Sequence, residues 1–168
     1  MSDTGDVMRG RAWKFGHDIS TDLLSPGSYA VDTVEVRMLH TLESVNPAFA
    51  SDVEAGDVVI AGRNFGCGSS RETAAENLKA LGVACVVADS LARLFMRNAV
   101  AIGLPVLICA GVDEAFADGD EVEIDLAAGT IASGDGEHHL QGEPLPPEMR
   151  DILAAGGILA VLASQTAG

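Results

Sequence analysis

Residues 62–72 read Gly-Arg-Asn-Phe-Gly-Cys-Gly-Ser-Ser-Arg-Glu, the densest run of chemically useful groups in the 168-residue chain. Ser69 and Ser70 offer adjacent hydroxyls, Arg71 a planar fork of donors, and Gly66 and Gly68 a backbone able to bring its N–H groups close to a ligand. A short apolar strand, DVVIAG at 57–62, is predicted before this loop and a helix from Arg71 to Leu81 after it. Ser69 stands three residues before Glu72, the spacing of a capping box, which places Ser69 at the helix start. Strand, glycine loop and helix N-terminus together form a generic anion site, because free N–H groups and the positive end of the helix dipole converge there. No Gly-Lys-Ser/Thr follows, and the third glycine of a dinucleotide fingerprint is missing, so nucleotide binding is disfavoured. Two hydroxyls beside a guanidinium suit a small carboxylic acid better. The same residues also admit a plainer reading, with Ser69 only capping the helix and Arg71 pairing with an acid of the chain.

The flanking elements must position that loop. RGRAWKF is predicted as a strand running into the Gly, Asp, Ser and Pro loop GHDISTDLLSPGSY, and a helix is predicted over 34–45 with Val34, Met38, Leu42 and Val45 on one face. After the glycine loop and its helix come VACVVA as a strand, SLARLFMRNAVAIG as a helix and PVLICA as a strand, the crossover spacing of a parallel α/β core. Beyond Gly111 the pattern changes. EVEIDLAAGTIAS reads as two short strands about an Ala-Ala-Gly turn, HHLQ as strand, and Pro146-Pro147 as the start of a helix, with a frayed tail at ASQTAG. His138 and His139, adjacent on one strand, would point to opposite faces and could not share a metal. One domain over 1–168 is expected, with an antiparallel addition to a parallel core.

Charge narrows the partners. Ten Lys and Arg against 25 Asp and Glu give a formal charge of -15, which repels nucleic-acid phosphates and anionic lipid. Residues 60–97 nevertheless hold five of the ten cations, Arg63, Arg71, Lys79, Arg93 and Arg97, against three acids. Seven acids fall within 113–125, the pattern of a solvated edge. No apolar run reaches the ~20 residues of a membrane span, and MSDTGDVM has no apolar core of a signal peptide, so a cytoplasmic location is expected. Cys67, Cys85 and Cys109 form no C-x-x-C pair, and the latter two sit in apolar runs where a thiol acts as a small hydrophobe. No metal site is expected in this chain.

GRNFGCGSSRE closely resembles the signature loop of the aconitase swivel domain. GHDISTDLLSPGSY resembles the D-N-I-D-T-D-x-I-I-P loop of 3-isopropylmalate dehydratase small subunits and their homoaconitase and methylmalate relatives, and SLARLFMRNAVAIGLP their S-F-A-R-I-F-Y-R-N-A segment. The likeness is clearest over residues 10–110. It implies a three-layer β/β/α swivelling domain serving as the small subunit of a two-chain hydro-lyase, most simply of the isopropylmalate type used in leucine biosynthesis. Homoaconitate, 2-methylmalate (citraconate) and 2,3-dimethylmalate types are the alternatives. The resemblance places a 4Fe-4S cluster in a large partner subunit, within a heterodimer or heterotetramer, and no cofactor in this chain. Carried over by position, Ser69 is the catalytic base and Arg71 clamps a substrate carboxylate, with Ser70, Gly68 and Asn64 shaping the substrate loop. Asp18, Thr21 and Asp22 fix the first loop and its contact with the partner. Cys67, Arg97 and Asn98 serve packing. A serine acts as a base only where N–H donors, the helix N-terminus and cations stabilise its oxyanion. The family's substrate-sorting loop corresponds to Ser28, Tyr29, Ala30 and Val31, where its usual Arg or Lys and Leu are absent; Thr73 and Met96 stand where a His and an aromatic are common. An apolar wall from Tyr29, Ala30 and Val31 would suit a branched side group. A non-catalytic anion-binding module built on the same loop is the alternative from another class.

Overall fold

The computed structural model of the chain describes residues 7–69 and 71–167, with side chains to residue 165. Seven strands are present: β1 (Val7–Lys14), β2 (Val58–Ala61), β3 (Cys85–Ala88), β4 (Val106–Ile108), β5 (Glu121–Asp125), β6 (Thr130–Ser133) and β7 (His139–Gln141). They join in one sheet of order β4-β3-β2-β1-β5-β6-β7. β1 is shared between two halves. Its Ala12–Lys14 end pairs in parallel with β2, and Val7–Arg11 pair antiparallel with β5. β2, β3 and β4 continue in parallel, while β5, β6 and β7 continue antiparallel.

Side-chain alternation builds the layers, since neighbouring residues of a strand face opposite ways. Val59, Ala61, Val86 and Ala88, with Trp13 and Phe15, pack against Ala74, Ala75, Leu78, Phe95 and Ala99. Their neighbours Val58, Ile60, Cys85 and Val87 pack against Val122, Ile124 and Ile131 of the antiparallel half. The antiparallel half therefore curls over one face of the parallel half and helices cover the other, which is the expected β/β/α arrangement. Strands buried on both faces explain why VVIA and CVVA are unbroken apolar runs.

The helices are α1 (Thr21–Leu24), α2 (Val34–Arg37), α3 (Phe49–Asp52), α4 (Thr73–Ala80), α5 (Arg93–Ile102), α6 (Val112–Ala115), α7 (Pro147–Ala155) and α8 (Ile158–Ala167). Three expectations are corrected here. The predicted helix over 34–45 stops after α2 and a 3-10 turn at Met38–His40. Leu42 adopts a φ of 58° and donates its N–H to the Leu23 carbonyl at 2.9 Å, so that its side chain is fully buried, while Val45 stays exposed. Core burial overrides helical periodicity at that point. The tail expected to fray is helical through Ala167, because α8 packs against α5 and α7. His138 lies just before β7, with its ring 6.3 Å from that of Phe116, and only His139 is on the strand. None of the described helices is long and apolar enough to cross a membrane.

Candidate active site

Two loops leaving the ends of β1 and β2 are stitched into one surface. Asp18 N–H donates to the Arg63 carbonyl at 2.8 Å, Gly66 N–H to the Ile19 carbonyl at 2.7 Å, and Thr21 N–H to the Cys67 carbonyl at 2.8 Å. A third segment joins from the far side, with Phe65 N–H donating to the Ser90 carbonyl and Ala92 N–H to that of Phe65. The GHDISTD and GRNFGCGSS motifs, more than 40 residues apart in the chain, thus make a single platform at the end of the parallel strands where α/β sheets usually carry their sites.

The backbone of this platform is demanding. Asp18 and Asn64 both take left-handed φ values, 57° and 62°, which Asn and Asp tolerate best. They are bonded to each other, Asn64 Nδ2 to Asp18 Oδ1 at 3.2 Å, and the Asn64 N–H donates to Ser90 Oγ at 2.8 Å. Asn64 therefore shapes the loop through its partners. Gly68 has a φ of 107°, and a Cβ there would stand 3.1 Å from Thr21 Oγ1. Only glycine lets Thr21 approach, and Thr21 Oγ1 lies 3.3 Å from Ser69 Oγ. His17 lies on the surface, its Nδ1 accepting the Arg63 N–H at 2.7 Å.

Ser69 is exposed on this platform, with Thr21 as its hydroxyl partner. The expected capping box is not formed. The helix starts at Thr73 with Glu72 in the cap position and no side-chain cap bond, so Ser69 lies outside the first helical turn. The competing bonds explain why. Ser69 is drawn to Thr21, and Arg71 swings to the first loop, where Nη1 donates to Asp22 Oδ1 at 3.1 Å and to the Ser25 carbonyl at 2.9 Å. Ser70 lies outside the described residues.

Arg71 is half used by these bonds. Its Nη1 is anchored, whereas Nε and Nη2 have no partner among the described residues. The guanidinium is held in place with one edge open, a geometry matched to a substrate carboxylate. Gly27, at the head of the 27–31 loop, lies against it. Ser28, Ala30 and Val31 are exposed, Val31 to 97%, while Tyr29 is half-buried against the His40 ring. The far ends of this loop are tied to α2 and α4. Ser25 Oγ donates to Thr73 Oγ1, Asn77 Nδ2 to the Leu24 carbonyl, and Arg37 to the Asp32 carbonyl. Motif reading gave Thr21, Asp22, Ser25, Thr73 and Asn77 no partners within the chain, because their ties run between segments far apart in sequence, and it did not mark Arg37 or His40 at all.

Two hollows on the chain, one lined by Arg9, Glu121, Ser133 and Asp135 and another by Val34, Arg37, Glu76 and Lys79, include neither Ser69 nor Arg71. Among the described residues no three His, Cys, Asp or Glu side chains gather to hold a metal. The cysteines do not fit an iron–sulfur cluster either. Cys85 and Cys109 sit in the core between the two sheet halves, and burial pushes both thiols up, Cys109 further so beside Asp89, which opposes the thiolate a cluster needs. Cys67 stands apart on the loop.

Fold and platform together define a β/β/α domain that carries an exposed serine and a half-anchored arginine at the end of its parallel strands. The family model for the aconitase C-terminal domain matches residues 25–109. The chain is 49% identical to 3-isopropylmalate dehydratase small subunit 1 of Methanopyrus kandleri, over 94% of this chain and 93% of that one. It is 45% identical to a methanogen homoaconitase small subunit of Methanothermobacter thermautotrophicus, over 91% and 89%. A solved 3-isopropylmalate dehydratase from Methanocaldococcus jannaschii superposes with a TM-score of 0.89 at 39% identity, covering 95% of each chain. The chain belongs to the aconitase C-terminal domain family, in which these relatives are dehydratase and homoaconitase small subunits.

Proposed function

We propose that this chain is the small subunit of a cytoplasmic hydro-lyase that isomerises a branched hydroxy-diacid by dehydration and rehydration, with 3-isopropylmalate as the first substrate to test. The observation that carries this reading is the exposed Ser69 on the same platform as Arg71, whose guanidinium is anchored through Nη1 and has its other edge without a partner among the described residues. A reaction site needs enclosure. Here a large partner subunit closes over the platform.

The chain's own groups have separable tasks. The open edge of Arg71 takes a substrate carboxylate and fixes its orientation, while Asp22 and the Ser25 carbonyl hold the guanidinium still. Ser69 Oγ accepts the proton from the carbon next to the hydroxyl-bearing carbon; the C–H electrons form the double bond as the hydroxyl departs on the opposite side. In the rehydration that completes the isomerisation, Ser69 Oγ delivers a proton to the carbon that lost the hydroxyl, and hydroxide adds to the carbon that lost the proton. Thr21 Oγ1, able to donate to Ser69 Oγ, stabilises the deprotonated serine. An iron–sulfur cluster held by the partner would polarise the departing hydroxyl, since Cys85 and Cys109 of this chain are buried with their thiols raised. Ala30 and Val31 meet the substrate's side group, and Ser28 supplies no cation, which favours an apolar branch over a third carboxylate.

Anaerobic reconstitution with a cluster-bearing large subunit tests the proposal, using isopropylmalate, citraconate, 2,3-dimethylmalate and homoaconitate-type acids as substrates. Turnover strongest with an apolar-branched acid is expected. Preference for the homoaconitate type would assign the 28–31 loop a different task. An intact complex that binds these acids and turns over none would leave an anion-binding module.

A further inference from the structure

The Tyr29 ring lies flat on the His40 ring, with centroids 3.6 Å apart and planes within 4°. His40 belongs to the 3-10 turn at Met38–His40, outside every motif that carries the family resemblance. It is itself held from behind, because His40 Nδ1 lies 2.8 Å from Glu43 Oε1. Glu43 and His40 therefore form a bracket against which the middle of the 27–31 loop is pressed. The next two residues, Ala30 and Val31, have no such support and stand out into the open.

We propose that His40 is a specificity-positioning residue: by stacking on Tyr29 it holds the 27–31 loop so that Ala30 and Val31 present a fixed apolar wall to the substrate's side group. This rests on the dehydratase reading above. The chemistry is direct. Without the stack, Tyr29 is free to change rotamer, because the 3-10 turn at Gly27–Tyr29 is held by a side chain only at its start, where Gly27 N–H donates to Asp22 Oδ1, and the stack on His40 is what fixes its other end. A mobile wall still admits a small side group but loses its fit to a branched one. His40 touches neither substrate nor Ser69 in this account, so its effect must appear in discrimination between substrates rather than in turnover as such.

The test uses the reconstituted complex with His40→Ala and His40→Phe. The Phe variant keeps an aromatic face and gives up only the Glu43 contact. An aromatic pair contributes about 0.5–1.5 kcal/mol, so the ratio of kcat/KM for isopropylmalate over citraconate is expected to fall about three- to tenfold in His40→Ala and to recover in His40→Phe. The citraconate value itself stays within about twofold. Tyr29 is the sole tyrosine, so its ring proton shifts, displaced by the stacked imidazole, report the contact independently of activity in the small subunit alone. Loss of those shifts in His40→Ala with an unchanged ratio overturns the proposal while leaving the dehydratase reading intact. An equal fall for both substrates makes His40 merely structural and also overturns it. A native complex inactive on every acid removes the reading on which it rests.

Discussion

Replacing Arg71 by Lys separates anchoring from binding, and the structure sets both magnitudes. Arg71 spends Nη1 on Asp22 Oδ1 and the Ser25 carbonyl, while Nε and Nη2, without a partner among the described residues, are the groups assigned to the substrate in the proposed function. A lysine carries its charge on one nitrogen at the end of a flexible stem. It can sit between Asp22 and Ser25 or reach the substrate carboxylate, not both in one geometry. The internal ion pair is exposed, with side-chain accessibilities of 37% and 69%, so its loss costs only about 0.2–1 kcal/mol of stability. For a chain of this size that is a fall in Tm of about 4 °C or less. A charge-assisted bond to the substrate contributes about 1.5–3 kcal/mol, so kcat/KM should drop about 10- to 150-fold, chiefly through KM. Thermal unfolding of the isolated chain and steady-state kinetics of the reconstituted complex supply the two numbers. A kcat/KM within threefold of native would refute the half-free arginine as the carboxylate clamp. A Tm fall well beyond ~4 °C would show that the anchoring bonds are structural in the first place.

Two further predictions concern the scaffold. Gly66→Ala would place a Cβ 2.3 Å from that of Phe95 at a φ of 83°, so backbone strain of about 1–3 kcal/mol adds to overpacking of similar size, and both Tm and turnover fall together. An unchanged melting curve would mean that Phe95 does not pack under the loop. Thiol labelling of the native chain at neutral pH should modify Cys67 alone, with Cys85 and Cys109 reacting only in denaturant, because burial both shields them and raises their thiols. Rapid reaction of two or three thiols would place Cys85 or Cys109 outside the core.

The parallel half was legible because its signals are local. VVIA and CVVA are unbroken apolar strands, and the glycine loop and the turn at Gly103 punctuate them. The antiparallel hairpin was legible for the same reason, through alternation in EVEID and TIAS. Residues 15–57 were not. There the chain folds by long-range ties such as Arg37 to Asn77 and Leu42 N–H to Leu23, and a buried leucine in a left-handed conformation leaves no periodic trace. At the candidate site, motif resemblance singled out Ser69 and Arg71, but not how they are held. The capping box failed because Thr21 and Asp22, 48 and 49 residues away, compete for the hydroxyl and the guanidinium that local spacing had allotted to the helix. His40 carried no signal at all until its ring was seen against Tyr29.

The central claim is that this chain supplies the base to a site completed by its partner. Solvent deuterium incorporation into substrate at the carbon next to the hydroxyl-bearing carbon tests it most directly, measured in the anaerobically reconstituted complex with native chain and with Ser69→Ala. The account predicts ready incorporation with the native chain, and a loss of about 100-fold or more in the variant, the scale on which a positioned base contributes, while complex formation and substrate affinity persist. Incorporation undiminished by Ser69→Ala would contradict it and move the base to another residue or to the partner.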